Sequence, residues 1–577
     1  MKKMPTFQQL ITPFEERMGS IPFSEYPRPA MKRDSYICLN GEWDFKVTHK
    51  DTEKYSGSIR VPFPPESRLS GVMTDIGKKD VMIYERHFSI NECIDGKRVL
   101  LHLDAVDQSC LVYVNGLFAG LGRDGYLPVT IEITPFLDGV ENVLRVEARD
   151  PLDKDYPYGK QTDKRGGMWY TKVSGIWQSV WLEIVPDVYV EEMRLTPTLD
   201  SVSFNINGGE AEKHVTVVTP DGDVSFSFTG DDYTFNVPSP RLWSPEDPYL
   251  YYFTLTCGED RIESYFALRT FGVTEVGGVS YLSLNGKPYF LHGLLDQGYF
   301  SDGIFLPATP EGYLSDILKM KECGFNMLRK HIKTEPQIFY HYCDKYGMIV
   351  FQDMVNNGPY SFIRDTALPT VGIRRGIRQF ASENRRNVFL RTSMGIQNML
   401  YNHPSVCYYT IFNEGWGQFD PDACYHILKA MDQTRVYDTT SGWFKTRHTD
   451  VESDHVYFKA VKLRRVKGRP MVLSEFGGYS CKLSEHSFNL DKTYGYRFFD
   501  CIEKFENALV ELYENEIIPH IRKGLSATVL TQVSDVEDET NGLLTYDRQV
   551  LKVDAKRMKA LAEKMYSLFA ELTGEVK

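Results

Sequence analysis

The chain has 577 residues, 42% hydrophobic and 25% charged, proportions that exclude a disordered or collagen-like protein and leave room for several domains. Lys and Arg number 66 against 78 Asp and Glu, and the net charge of −12 argues against nucleic acid or an anionic membrane as partner, because both reward basic surface. A small or neutral substrate suits this balance better.

The opening, MKKMPTFQQLITPFEERMGS, carries lysines but not the apolar run of about 7 to 15 residues that a signal peptide needs. No stretch approaches the about 18 consecutive apolar residues of a spanning helix, so a soluble, cytoplasmic protein is expected. The 10 cysteines include no Cys-x-x-Cys pair, which suits reduced and mostly buried thiols rather than a disulfide framework or a zinc site. No cofactor and no metal ion is expected, and the sequence leaves self-association open.

From about residue 35 to 275 the apolar signal comes in short runs broken by turn residues, the pattern of sandwiches and barrels. Val99, Leu101 and Leu103 alternate with Leu100, His102 and Asp104, and Asn115-Gly116 supplies a tight hairpin turn. Two all-β domains are the economical reading, 1–186 and 187–275, with a break near Pro186 after VWLEIVP. Gly120, Gly122 and Gly125 spell a dinucleotide-type fingerprint, but β-branched residues and Pro128 follow where that motif demands a helix. Trp169, Tyr170, Trp177 and Trp181 could stack on sugar, but at least three of the four are read as sandwich core and interface.

After YLSLNGKPYF the rhythm becomes βα, and strand candidates fall at 289–293, 325–331, 348–353, 405–414, 435–443, 454–458, 470–475 and 526–535. Helices fit between them, one opening at Thr309-Pro310 and closing at Gly324, another opening at Asp420-Pro421. Residues 276–577 are therefore predicted to form a (β/α)₈ TIM barrel, whose active site lies at the C-terminal ends of the strands. Two glutamates end apolar runs there: Glu414 in TIFNEGWG after the fourth strand, and Glu475 in MVLSEFGG after the seventh. Converging carboxylates suit glycoside hydrolysis, one protonating the leaving oxygen while the other attacks the anomeric carbon. A separation of about 5 to 5.5 Å is expected for retention, about 6.5 to 9.5 Å for inversion.

With RGGMWYTKVSGIWQSVWLEIVP (165–186), these motifs make the chain resemble glycoside hydrolase family 2, the β-galactosidase, β-glucuronidase and β-mannosidase group. The resemblance implies a jelly-roll sugar-binding domain, an immunoglobulin-like sandwich and a catalytic barrel, in that order. It makes Glu414 the general acid/base and Glu475 the nucleophile of a retaining exo-β-glycosidase, with Asn413 on the sugar 2-hydroxyl and Tyr457 beside the nucleophile. His292, Arg329 and His331 fall near positions that line the sugar subsite. Where many β-galactosidases carry Asn-Arg-His-Glu this chain reads LHGLLDQGYFSDG, and the Asn-x-Lys of β-glucuronidases is replaced by QVSDVEDETNGLLTYDR. Asp535, Glu537, Asp538 and Glu539 beside a uronate would be repulsive unless Arg329 or Lys330 compensates, so a neutral sugar such as a β-galactoside is favoured, with a β-glucuronide as alternative. That acidic segment is read as a solvated loop in preference to a cation site. The eighth strand lacks the family's tryptophan, so the sugar platform is expected from Trp443 or Trp416. A non-catalytic carbohydrate-binding protein on a decayed barrel is the remaining reading, and the two intact glutamate motifs speak against it.

Overall fold

The computed structural model describes residues 6–50, 52–370, 373 and 381–574. Strand Gly41–His49 shows why the first region is a sandwich: Trp43, Phe45 and Val47 are buried while Glu42, Asp44 and Lys46 are exposed. Such a period of two is what one wet face and one dry face impose on a strand. A seven-stranded and a four-stranded sheet enclose Trp43, Phe45, Tyr84, Leu101, Val112 and Leu182. The predicted hairpin joins Val106–Val114 to Leu117–Asp124, with Asn115 and Gly116 at φ of 50° and 79°, the twist a two-residue turn between antiparallel strands requires. Gly120 and Gly122 lie inside a strand, where a Cβ would come 2.7 Å from Ile131 and 2.6 Å from Val129, so these glycines serve sheet packing rather than a nucleotide.

The next region, from Glu192–Pro197 to Asp260–Phe266, pairs a three-stranded with a four-stranded sheet over Phe204, Val215, Phe253, Leu255 and Phe266. It is fastened to the third region by Arg269, whose guanidinium donates to the carbonyls of Pro404 and Val406, both at 2.9 Å.

The third region is the barrel. Its strands are β1 (Leu291–Asp296), β2 (Met327–Lys330), β3 (Ile349–Asp353), β4 (Val406–Asn413), β5 (Val436–Ser441), β6 (Glu452–Val456), β7 (Met471–Gly477) and β8 (Leu525–Thr531). They form one eight-stranded sheet in the order β5-β4-β3-β2-β1-β8-β7-β6, every pair parallel. Side chains draw β5 and β6 together in place of a backbone ladder: Ser453 Oγ donates to Asp438 Oδ1 at 2.9 Å.

Helices Glu311–Glu322, Gln337–Tyr346, Glu383–Leu400, Pro421–Met431, Ile502–Leu512 and Ala555–Thr573 cover the outside. The expectation of a helix after every strand fails twice, since β5–β6 and β6–β7 are joined by irregular chain. The first connection is short for a crossover helix. The second, KAVKLRRVKGRP, carries basic residues where an amphipathic helix needs an apolar stripe.

Segment 158–171 of the first region lies over the C-terminal ends of the barrel strands. Tyr158 Oη donates to Gly358 O at 2.8 Å, Thr171 N to Glu537 at 2.9 Å and Tyr170 Oη to Glu539 at 2.6 Å. All 10 cysteines are free, most of them buried. Among the described residues no helix is long and apolar enough to cross a membrane.

Candidate active site

Strand β4 ends at Asn413, and the chain turns sharply there, Glu414 and Gly415 both taking positive φ, 52° and 73°. The turn is pinned by Glu414 N donating to Ser441 O at 3.0 Å. A non-glycine residue in this conformation costs energy, and here it turns a carboxyl back toward the barrel axis. Glu414 Oε1 meets Nδ1 of His455 on β6 at 2.7 Å. Burial pushes the imidazole down to about 3, against the pull of the Glu475 charge, so His455 is neutral at pH 7 and its Nδ1–H donates to the carboxylate. Burial also raises the Glu414 carboxyl, while the charges of Lys160, His331 and Arg329 oppose that rise.

Glu475 sits where the ladder between β7 and β8 slips, between Leu473 and Phe476, the kind of irregularity that re-aims a side chain. Arg329, 1% exposed, holds it from below: Nη1 donates to Glu475 Oε1 at 3.0 Å, Nη2 to Asn413 Oδ1 at 2.8 Å, and the guanidinium grips Asp353 at 2.9 and 3.1 Å. The other oxygen of Glu475 accepts from Tyr457 Oη at 2.5 Å. Asp353 in turn takes Nδ1 of His331 at 2.8 Å. Burial would raise the Asp353 carboxyl, but Arg329 and His331 hold it down at about 2.

Glu414, His455 and Glu475 each bring one ligand atom within 4.8 Å of the others, and among the described residues they are the one group spaced to hold a metal ion. The same spacing serves proton donation from one carboxyl and attack by the other. Asn413, Arg329, His331 and Tyr457 thus gather around the two glutamates.

His292 does not. It points out of the barrel, stacked on Phe325 at 4.2 Å with Nδ1 3.3 Å from Thr528, and its assignment to the sugar subsite is corrected. An apolar strand gives its polar residues no phase, and His292 falls on the helix-facing side. Lys330 also turns outward, to Asp296 at 2.7 Å and Glu335 at 2.8 Å. Trp443 is buried behind His455, its Nε1 donating to His455 O at 3.3 Å. Trp416 is buried too, edge-on to Trp169 at 5.0 Å.

The acidic segment is not a solvated loop. Asp535, Glu537, Asp538 and Glu539 are all buried, because each has a partner: Lys552 at 2.7 Å, Thr171 N at 2.9 Å, Asn489 at 2.6 Å, and for Glu539 Tyr170 at 2.6 Å with Gln532 at 2.9 Å. Burial, partly offset by the Tyr170 bond and the Lys160 charge, raises Glu539 to about 6.

Two residues escaped the sequence reading, His455 and Lys160. His455 shares a strand face with Tyr457 two residues on, so a period of two could have found it. Lys160 comes from the first region, and no local pattern links it to the barrel; Trp169, read as core or interface, does meet the barrel at Trp416. The Lys160 ammonium lies over Trp169, 5.8 Å from the ring centre, and its charge is felt at Glu414, His331 and Glu539. Among the described residues no carboxylate lies within ion-pair distance of it.

Sequence profiles described as "Glycosyl hydrolases family 2, sugar binding domain", "Glycosyl hydrolases family 2" and "Glycosyl hydrolases family 2, TIM barrel domain" match residues 72–186, 188–269 and 279–565. The chain is 27% identical to a β-galactosidase of Aeromonas hydrophila over 453 residues, 72% of this chain and 41% of that protein. It is 29% identical to a β-galactosidase of Thermoanaerobacter pseudethanolicus over 298 residues, 47% of this chain and 39% of that one. It therefore spans about two-fifths of the length of these curated relatives. Among solved structures, a β-D-glucuronidase of Dictyoglomus thermophilum superposes with a TM-score of 0.75 at 18% identity, covering 93% of this chain and 98% of that one.

Proposed function

From a chain that belongs to glycoside hydrolase family 2, we propose a retaining exo-β-glycosidase that hydrolyses terminal β-linked sugars by double displacement. The observation that carries this reading is the convergence of Glu414 and Glu475, which each bring a carboxylate oxygen within 4.8 Å of the other at the ends of β4 and β7, as a pair acting on one glycosidic bond requires. Glu475, oriented by Arg329 and Tyr457, attacks the anomeric carbon. Glu414, raised by burial, protonates the departing oxygen and then takes a proton from water as the glycosyl ester is cleaved. His455 occupies Oε1 of Glu414, which leaves Oε2 to carry the transferable proton. Arg329 holds the carbonyl of Asn413, so its amide N–H groups remain for the sugar 2-hydroxyl.

For the sugar, a neutral hexoside such as a β-galactoside is the first reading. Arg329 is saturated by Asp353, Glu475 and Asn413, and Lys330 faces away, so neither serves as a uronate clamp. Glu539 offers an acceptor to hydroxyls. Lys160 favours a second reading, a β-uronide, because it places an uncompensated cation at the mouth. Comparing kcat/KM for nitrophenyl β-galactoside and β-glucuronide at one pH decides the matter. A galactoside preference is expected. A glucuronide preference of about tenfold, about 1.4 kcal/mol, that disappears in Lys160→Met would establish the second reading instead.

The acid's pKa sets the alkaline limb. Glu414 must be protonated for the first step, so kcat/KM is present below its raised pKa and lost as pH rises through it. The Lys160 charge lowers that pKa, and Lys160→Met should move the alkaline limb to higher pH. A limb that stays put or moves down would remove Lys160 from the surroundings of Glu414.

A further inference from the structure

Whatever leaves the anomeric carbon must lie against Glu414, and two walls of aromatic rings flank that position. One wall is built on Tyr457. Tyr496 stacks on it with ring centres 4.2 Å apart and planes 22° from parallel, Phe458 stands edge-on to Tyr496 at 4.8 Å, and Tyr494 lies 6.0 Å from Tyr496. The other wall crosses between domains. Trp169 of the first region packs at 5.0 Å against Tyr360 of the chain after β3 and at 5.0 Å against Trp416, two residues beyond Glu414. The walls approach each other at Gly167, where a Cβ would lie 3.4 Å from the ring of Tyr494. Tyr457 of the first wall donates to Glu475 at 2.5 Å, and Trp416 of the second follows Glu414 by two residues, so both walls start from the catalytic pair.

Phe458 is 67% exposed, a large apolar ring left in water although its edge contact fixes its place. Isolated exposed rings need no explanation, but this one continues a set of rings that ends at the catalytic pair. The Tyr360 hydroxyl is already held by Thr366 at 2.6 Å. The walls thus offer mainly ring faces and edges, which suit a flat ring better than a second sugar.

Resting on the glycosidase reading of Glu414 and Glu475, we propose that Phe458, Tyr496, Trp169 and Tyr360 form a leaving-group site for a flat aryl aglycone. An aryl ring entering between them meets offset and edge-on partners, the arrangements aromatic pairs prefer, and excludes water from the acid as it docks.

The test uses inhibitors in which sulfur replaces the glycosidic oxygen, so that leaving-group acidity does not enter. Ki is measured for the phenyl and methyl 1-thio-β-D-galactosides, for the phenyl and methyl 1-thio-β-D-glucuronides, and for thiodigalactoside. In whichever sugar binds, phenyl should bind about tenfold or more tighter than methyl. Phe458→Ala and Trp169→Ala should each bring that ratio toward one, and the exposure of Phe458 makes its replacement harmless to folding. Equal Ki for phenyl and methyl overturns the aryl site while leaving the glycosidase reading intact. Thiodigalactoside binding as tightly as the phenyl compound overturns it in favour of a second sugar. Binding of none of the five overturns the proposal together with the reading it rests on.

Discussion

Replacement of Glu475 by Gln is expected to lower kcat by about 10⁵-fold, about 7 kcal/mol of barrier, because the amide keeps the shape of the side chain and loses the nucleophile. Nothing else in the site can take its place: Asp353 is committed to Arg329 and His331, and Glu539 to Tyr170 and Gln532. Replacing Glu414 by Gln removes only proton transfer, expected to cost about 10² to 10⁴-fold with an alkyl leaving group. It should cost far less with a dinitrophenyl group that departs without a proton. Azide separates the roles stereochemically. In Glu475→Ala it attacks from the vacated face and yields the α-glycosyl azide. In Glu414→Ala it attacks the glycosyl ester and yields the β-glycosyl azide. The opposite pair of products would exchange the two assignments, and a Glu475→Gln variant within tenfold of the parent would end the double-displacement reading.

These two residues were legible because a charge has no cause to end an apolar run unless something needs it there. The eight barrel strands were legible for a related reason, since strands buried on both faces read as nearly unbroken apolar runs. What such runs do not carry is phase. Arg329 and Lys330 are adjacent, and only closure of the barrel decides that Arg329 turns in to Glu475 while Lys330 turns out to Glu335. His292 was misplaced by that ambiguity. The acidic run 535–539 was misread because its partners, Tyr170, Thr171, Asn489 and Lys552, are distant in sequence, so burial and satisfaction could not be seen together. Lys160 marks the same limit between domains. A sandwich sequence says where its own core lies and nothing about the barrel mouth it covers.

Arg329 is the residue on which the rest of the site depends, and Arg329→Met is expected to lower kcat/KM by about 10³-fold, about 4 kcal/mol of transition-state stabilisation. The guanidinium orients Glu475, fixes the Asn413 amide and neutralises Asp353 at once, and all of these are buried. Removing one member of a buried pair leaves an uncompensated charge, so the variant should also lose about 3 to 5 kcal/mol of stability. Arg329→Lys keeps the charge but not the planar fork, and should recover stability more fully than activity. The stability loss has a pH signature. Asp353 titrates at about 2 in the folded protein against about 3.9 in an unfolded chain, so its contribution is complete above about pH 4 and is lost as pH falls toward 2. Urea unfolding of the parent and of Arg329→Met at pH 7 and at pH 3 should therefore show the gap between them narrowing at the lower pH. An unchanged gap would mean that Arg329 stabilises the barrel through its packing alone, and the loss of activity would then have to come from Glu475 and Asn413 without help from Asp353.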